Sequence, residues 1–276
     1  MIFGVEVKKF AKQRGNKEKN CNFARHNRLH RNVNLIIDIG NTCAKAVCFN
    51  DGNVVEEIRF DRGEECRLED FCHKYQFQKG ILSSVSDVSD ALCDIIQALP
   101  FEVRTFKSGI TPVPIKNKYA SPYTLGTDRL AAAVGAAYLQ PGHDILIVDI
   151  GTCITIDFVS AEGAYEGGNI SLGPTMRLKA LHEFTSKLPL VERGGETEEM
   201  GTTTETAIRS GVVQGIKYEI EGYVRAFQAK YPQLFVYLTG GVHMDLHFSE
   251  KIRIFANDFI VPIGLNRILE YNDDFL

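Results

Sequence analysis

Two stretches of the sequence decide the fold: NLIIDIGNT at residues 34–42 and DILIVDIGT at residues 144–152. Each is an apolar run that predicts a buried strand, and each ends in Asp-Ile-Gly followed by a small, hydroxyl-bearing turn. A second apolar run and a hairpin turn follow both copies, at residues 44–53 and 154–163. The pattern therefore predicts an internal duplication of a strand-turn-strand unit, and with it two related halves.

The sequence around the first copy alternates strand and helix patterns, which is typical of an α/β protein with a mixed sheet. Further strands are expected at residues 54–60, 80–85 and 102–106, and helices at 67–75, 88–98 and 127–138. We expect a basic, disordered extension over residues 1–33, an N-terminal half over 34–138 and a C-terminal half over 139–276. The active-site cleft is expected between the two halves.

Composition and charge exclude several classes of protein. The 276 residues are 44% apolar and 24% charged, with 24 Gly and 9 Pro, which excludes a fibre, a disulfide scaffold and a fully disordered chain. Residues 1–33 carry a charge of +7 and the remainder −11. No apolar run is long enough to cross a membrane, and no CxxC pair predicts a zinc site. These features predict a cytoplasmic protein with no membrane partner.

The first turn, Asp38-Ile39-Gly40-Asn41-Thr42-Cys43-Ala44-Lys45, suits a phosphate group. Gly lets the backbone approach a ligand closely, the exposed N–H groups and hydroxyls point at an anion, and Lys45 adds a positive charge. In the second turn, Thr152 and Thr155 would hold another phosphate, while the carboxylates of Asp149 and Asp157 would take up a hydrated Mg²⁺. A plain hairpin explains either turn alone, but two copies facing a cleft favour phosphoryl transfer.

Gly126-Thr127-Asp128-Arg129 lies at the start of the predicted Ala-rich helix. Thr127 or Asp128 could cap the helix, with Arg129 a surface charge. The alternative gives this segment a chemical role, in which Asp128 accepts the proton of a substrate hydroxyl and Arg129 binds an anion of the substrate.

With these elements in order, the sequence resembles type III pantothenate kinase, a family of the actin, sugar kinase and Hsp70-like ATPase superfamily. The resemblance extends from about Asn34 to the C-terminus. It includes the motifs named above together with Gly-Gly-Asn-Ile at 167–170, Gly-Thr-Thr-Thr at 201–204 and Thr-Gly-Gly at 239–241. It implies two actin/ribonuclease H-like halves, each a mixed sheet flanked by helices.

The resemblance also implies an activity, the ATP-dependent phosphorylation of pantothenate at the start of coenzyme A biosynthesis, and a role for each matching residue. Residues 38–45 and Thr152 would contact ATP, and Asp128 would be the general base. Asp149 would bind a monovalent cation, K⁺ or NH₄⁺, beside the Mg²⁺ that accompanies ATP. The residues expected to contact pantothenate are Tyr119, Gly126, Thr127, Asp128, Arg129 and Thr204. The family resemblance further implies a homodimer with the substrate site at the subunit interface, and the apolar segments 176–184 and 207–220 are candidates for that contact or for ordinary core packing.

Two features depart from the family pattern. Ser171-Leu172-Gly173-Pro174 stands where a Pro-Gly pair is common, and residues 1–33 have no counterpart. Because Val33 precedes the segment at which family members begin, residues 1–32 are interpreted as an upstream start-site assignment; the alternative is a basic arm for nucleic acid or a partner. The competing function is a non-catalytic regulator of the same fold, of the transcriptional accessory factor type. A sugar- or acetate-type kinase is disfavoured because such enzymes carry larger insertions.

Overall fold

The structure is a computed structural model that describes residues 33–242 and 253–273. The basic segment expected to be an extension lies almost entirely outside these residues. Within them the chain forms two mixed sheets, each flanked by helices. The predicted α/β fold with two duplicated halves is confirmed.

The first sheet has five strands in the order β3-β2-β1-β4-β5. Strands β1 and β2 are antiparallel and joined by the first Asp-Ile-Gly turn, and β4 and β5 run parallel to β1. Alternate apolar residues of β1 face opposite sides of the sheet, because successive side chains of a strand point in opposite directions. The strands are β1 (Val33–Ile39), β2 (Ala44–Asn50), β3 (Asn53–Phe60), β4 (Lys79–Ser84) and β5 (Val103–Thr105).

The second sheet repeats this arrangement. Its order is β11-β10-β7-β8-β9-β6, so that β7, β8, β9, β10 and β11 correspond to β1 through β5, and the short β6 is added at the edge. Strand directions correspond as well: β7 and β8 are antiparallel, and β10 and β11 run parallel to β7. The strands are β6 (Lys116–Asn117), β7 (Ile145–Ile150), β8 (Cys153–Ser160), β9 (Ala164–Leu172), β10 (Phe235–Thr239) and β11 (Arg253–Ala256).

The helices complete a layered structure. Helices α1 (Cys66–Lys74) and α2 (Asp90–Ala98) cover the outer face of the first sheet, and α4 (Pro174–Glu183) and α5 (Thr204–Lys230) cover that of the second. Helices α3 (Thr127–Leu139) and α6 (Ile260–Tyr271) lie between the two sheets and share one hydrophobic core with both.

Close packing in the central layer explains why α3 is rich in Ala. Four of its alanines are buried, and α6 crosses it at Gly135 and Gly264, where a Cβ on either glycine would collide with the backbone of the other helix. Only small residues permit such a close approach between helices. The predicted helix at 127–138 is confirmed, and its composition reflects its position between two sheets.

Three further features complete the description of the fold. Gly173 is the N-cap of α4 and Pro174 its first residue, so the departure from the family pattern here is a helix start with a favoured proline. Among the described cysteines, all free, only Cys48 and Cys72 are buried. No helix of the described chain has the length and apolar character needed to cross a membrane.

Candidate active site

Carboxylates from three elements converge where the central strands of both sheets end. Ile36 and Ile147 lie in the core between the sheets, and Asp38 and Asp149, two residues further along β1 and β7, fall on the same inward faces. Asp128 in the first turn of α3 reaches them from the central layer, since its charge acts on both. Each of these residues was predicted from sequence, and the fold brings all three together.

The carboxylates raise one another's proton affinity. Burial raises the pKa of Asp38 to about 7, and the charge of Asp128 adds to the effect while Lys45 opposes it. Burial likewise raises the pKa of Asp149 to about 6, with contributions from the charges of Asp128 and Asp157. Burial is also the main reason that the pKa of Asp128 lies above its usual range. The site therefore holds an excess of negative charge that a bound cation would relieve.

The two Asp-Ile-Gly turns are each closed by a hydrogen bond from the glycine amide and meet across the cleft, although the second turn is one residue shorter. The amide of Gly40 donates to the carbonyl of Cys43 (3.1 Å), and that of Gly151 to the carbonyl of Cys153 (2.9 Å). The hydroxyls of Thr42 and Thr152 lie 2.9 Å apart, at a hydrogen-bonding distance. A ligand that occupies the cleft would thus contact both halves at once.

Within the predicted ATP segment 38–45, the residues differ in what they can offer a ligand. Asn41 and Thr42 are exposed at the tip of the turn, and Gly40, Cys43 and Lys45 are partly exposed. Ile39 and Ala44 are buried in the core, so that only their backbone could contact ATP. Lys45 is paired with Asp38 in the register of β2 and β1, which places its positive charge beside the carboxylates.

The segment 126–129 is fixed to the first sheet by its Thr. The hydroxyl of Thr127 accepts a hydrogen bond from Ser83 Oγ (3.0 Å) and donates to the Ser84 carbonyl (3.3 Å). The N-cap position of α3 belongs to Gly126, so the prediction that Thr127 or Asp128 caps the helix is wrong. The start of α3 is instead attached to the carboxyl end of β4, next to Asp38.

Arg129 is a buried residue and not a surface charge. Its Nε and Nη2 donate to Asp157 Oδ1 at 3.0 and 2.6 Å, and Tyr165 Oη donates to the same oxygen at 2.6 Å. The guanidinium lies 5.9 Å from the centre of the Tyr119 ring, which packs against Tyr165. Asp157 is occupied by these donors and is not open to a cation, contrary to the prediction that it would bind Mg²⁺.

Two glycines of the predicted motifs are required by close approach to the acidic residues. A Cβ on Gly168 would collide with Asp157 Oδ1 and lie 2.7 Å from Arg129 Nη2. Gly240 has a φ of +103°, and a Cβ there would lie 2.6 Å from Asp149 Oδ1. The Thr-Gly-Gly turn at 239–241 therefore lies against Asp149, because β10 is the parallel neighbour of β7.

Thr204 is the predicted site residue that the fold leaves apart. It is exposed at the first position of α5, on the outer layer of the second sheet, and its neighbour Thr203 forms a capping box with Thr206. Among the described residues, no hydrogen bond or ion pair joins Thr204 to the carboxylates. Conversely, sequence reasoning missed Ser83 and Tyr165, since a Ser in a strand and a Tyr in a hairpin carry no signal of a site.

Comparison with known proteins identifies the family. A family model described as type III pantothenate kinase matches residues 34–226. A type III pantothenate kinase of Phocaeicola vulgatus is 48% identical over 241 residues, which cover 87% of this chain and 99% of the relative. The chain belongs to the type III pantothenate kinase family. A second relative with that name, from Bacteroides fragilis (strain ATCC 25285), is 49% identical over 243 residues, again covering 87% of this chain and 99% of the relative. The chain is accordingly a kinase.

Solved structures support the fold. A Campylobacter jejuni protein described as a Baf family transcriptional activator aligns with a TM-score of 0.52 and 21% identity, covering 87% of this chain and 99% of its own. A Listeria monocytogenes protein described as an N-acetylmannosamine kinase aligns with a TM-score of 0.50 and 13% identity, covering 87% of this chain and 99% of its own. At these identities the similarity concerns the fold alone.

Proposed function

We propose that this kinase transfers the terminal phosphoryl group of ATP to the primary hydroxyl of pantothenate, the first step of coenzyme A biosynthesis, in the cytoplasm. The observation that carries the proposal is the convergence of Asp38, Asp128 and Asp149 beside Lys45, where the two duplicated sheets meet. Family membership supports pantothenate as the acceptor, because the relatives from P. vulgatus and B. fragilis carry that name.

The two turns would hold the phosphates of ATP from opposite sides. Exposed Asn41, Thr42 and Thr152 offer hydroxyl, amide and backbone N–H donors, and Lys45 adds a positive charge. Phosphoryl transfer needs little more from a protein than such positioning and charge compensation. In the group 38–45, the side chains of Ile39 and Ala44 would maintain the strands, while the rest of the segment would face the nucleotide.

Asp128 is the proposed general base. As the new bond forms between the acceptor oxygen and the terminal phosphorus, the bond from that phosphorus to the bridging oxygen of ADP breaks, and the hydroxyl proton passes to an Asp128 oxygen. Burial raises the pKa of Asp128, and a carboxylate with a raised pKa is a more effective proton acceptor near neutral pH. The backbone N–H of Arg129 donates to Asp128 Oδ1 at 2.8 Å and fixes its orientation.

Asp149 is the proposed ligand of a monovalent cation, K⁺ or NH₄⁺. In the first half Lys45 is paired with Asp38, whereas in the second half Thr155 is paired with Asp149. The second carboxylate thus has a hydroxyl where the first has an ammonium group. The donor set of Asp149 and Thr155 suits a cation with oxygen ligands, and Mg²⁺ would enter with the phosphates of ATP, as is usual for this ion. When bound, such ions would neutralise phosphate charge.

We also propose a homodimer whose interface includes the exposed side of α4 and α5. One side of helix α5 packs in the core against the second sheet, as the core-packing interpretation of segment 207–220 expects. Its buried residues are Ile208, Val212, Ile216, Ile220 and Val224. The opposite side exposes apolar groups: Phe184 after α4 is 84% exposed and Tyr218 of α5 is 59% exposed. An exposed apolar surface of this kind is typical of interfaces. Thr204, exposed on the same helix, would then contact the substrate of the partner subunit.

The test is ADP release in a coupled assay with pantothenate, with and without potassium. We expect release that depends on pantothenate and is stimulated by potassium. Replacement of Asp128 by Asn keeps the side-chain shape and should lower turnover by about 10²–10⁴-fold, whereas Asp94→Asn on the exposed side of α2 should not. Unchanged turnover in Asp128→Asn would contradict the role of the base, and no release in any condition would favour a non-catalytic regulator.

A further inference from the structure

Arg129, Asp157 and Tyr165 form a buried polar cluster between the two sheets. The Arg129 side chain is 5% exposed and that of Asp157 1% exposed, and Tyr165 is fully buried. Asp157 and Tyr165 lie on the consecutive strands β8 and β9, and Arg129 of α3 meets them only in the folded chain. A buried ion pair costs more in desolvation than it gains unless its geometry is good and its hydrogen bonds are complete. The cluster therefore needs a reason beyond stability.

The geometry of the ion pair distinguishes two edges of the guanidinium. Asp157 takes up the edge formed by Nε and Nη2, with both nitrogens donating to Oδ1 and Nε also lying 3.3 Å from Oδ2. A guanidinium carries five N–H donors in one plane. Its second edge, formed by Nη1 and the remaining hydrogen of Nη2, is not taken up by Asp157. This edge could bind another carboxylate through two parallel hydrogen bonds, together with the side chain of Tyr119, which also hydrogen-bonds to the guanidinium.

The rest of the cluster fixes the plane of the guanidinium. Tyr165 donates to the oxygen of Asp157 that receives Arg129 Nε and Nη2, and the Tyr119 ring lies beside the guanidinium. At Gly168 there is no space for a side chain between Asp157 and Arg129 Nη2. Arg129 is also the residue next to Asp128, so the direction of its second edge is fixed relative to the proposed base.

We propose that Asp157 and Tyr165 are positioning residues that hold the Nη1–Nη2 edge of Arg129 in place for the carboxylate of the acceptor, and thereby make the enzyme select a carboxylate over a neutral group. The proposal rests on the proposed function, since pantothenate is the acceptor that carries this carboxylate. The hydrogen bonds of Asp157 in the described residues go to Arg129 and Tyr165 and not to Asp128, although its charge adds to the raised pKa of Asp128 and of Asp149.

The experiment compares pantothenate with its primary amide as acceptors in full-length wild type, Asp157→Asn and Tyr165→Phe. Wild type should favour pantothenate. In Asp157→Asn the KM for pantothenate should rise by about ten-fold or more, because this is the change in affinity expected when a charge-assisted hydrogen bond is lost. The KM for ATP should change by less than about two-fold, and the preference for pantothenate over the amide should fall by the same factor as the KM rises. Tyr165→Phe should show the same pattern at about three-fold.

Two controls separate positioning from folding. Asp273→Asn removes a carboxylate from another ion-paired cluster, with Lys79 and Arg104, away from the site, and should leave the acceptor preference unchanged. If Asp157→Asn does not fold, Tyr165→Phe still decides the matter, because it keeps the aromatic ring and both charges. An equal loss with both acceptors, or an unchanged preference in the folded variants, would overturn the positioning role alone. A wild-type protein that releases no ADP with pantothenate would overturn the proposed function and the assigned acceptor together.

Discussion

Replacing Asp38 by Asn should stabilise the ligand-free protein, and increasingly so as the pH rises. The folded-state pKa of Asp38 is about 7, against 3.8 for the ordinary group, chiefly because of burial. A carboxyl with a raised folded pKa binds its proton more tightly in the folded state. The unfolding free energy therefore falls by about 1.4 kcal/mol per pH unit between these two values. In total the unfolding free energy of the wild type falls by about 4 kcal/mol over this pH range, whereas that of the Asn variant does not.

The assay is urea denaturation at about pH 5 and about pH 8, followed by far-UV circular dichroism because the chain contains no Trp. The stability difference between Asp38→Asn and wild type should be larger at pH 8 by about 3 kcal/mol, which is two pH units of the titration. Taking the difference between two pH values cancels any constant cost of the substitution. The exposed Asp94→Asn serves as the control. A stability difference independent of pH, or one that shrinks towards pH 8, would refute the reasoning.

Three further predictions concern packing and charge. Replacement of Asn266 by Leu should cost about 1–3 kcal/mol of unfolding free energy, because it removes the 2.8 Å hydrogen bond from buried Asn34. The double replacement of Asn34 and Asn266 by Leu should cost less than the single one in the same denaturation assay. Gly264→Ala should cost about 1–3 kcal/mol, measured by thermal unfolding, because its Cβ would collide with α3. Thr155→Lys should weaken the potassium dependence of ADP release by supplying an ammonium group beside Asp149, and an unchanged potassium dependence would contradict the comparison with Lys45.

The sequence predicts the strands and the carboxylates well for a physical reason. Period-two alternation and apolar runs are local signals, and the Asp-Ile-Gly turns mark where β1 and β7 end. Both strands are central in their sheets, and α3 lies between the two sheets. A correct prediction of the fold therefore also places Asp38, Asp128 and Asp149 close together. The repeated strand order of the two sheets follows from the same duplication.

The sequence does not predict which residue each buried polar group pairs with. Arg129 was expected to be open to an anion or exposed, yet the fold buries it against Asp157. That pairing depends on the approach of α3 to β8, which no local pattern encodes. The same holds for α6, which was not predicted: it joins the second half to the first through the hydrogen bond between Asn266 and Asn34. Its hydrophobic pattern fits a helix but does not say which sheet it covers.

Duplication explains why the two halves of the site are similar in shape and different in chemistry. The same backbone places a carboxylate at the end of the first strand in each half, with its neighbour on the second strand directly opposite. In the first half that neighbour is Lys45, a permanent internal counter-charge. In the second half it is Thr155, and two residues further Asp157 is already committed to Arg129. Lys45 also lowers the pKa of Asp149, but no ammonium group lies directly opposite this carboxylate in the strand register. A bound cation would therefore complete the balance of its negative charge, and burial makes that requirement stronger. The two carboxylates should thus respond differently to added cations: ligand-free protein with Asp149→Asn should lose any stabilisation by potassium, whereas Asp38→Asn should retain it.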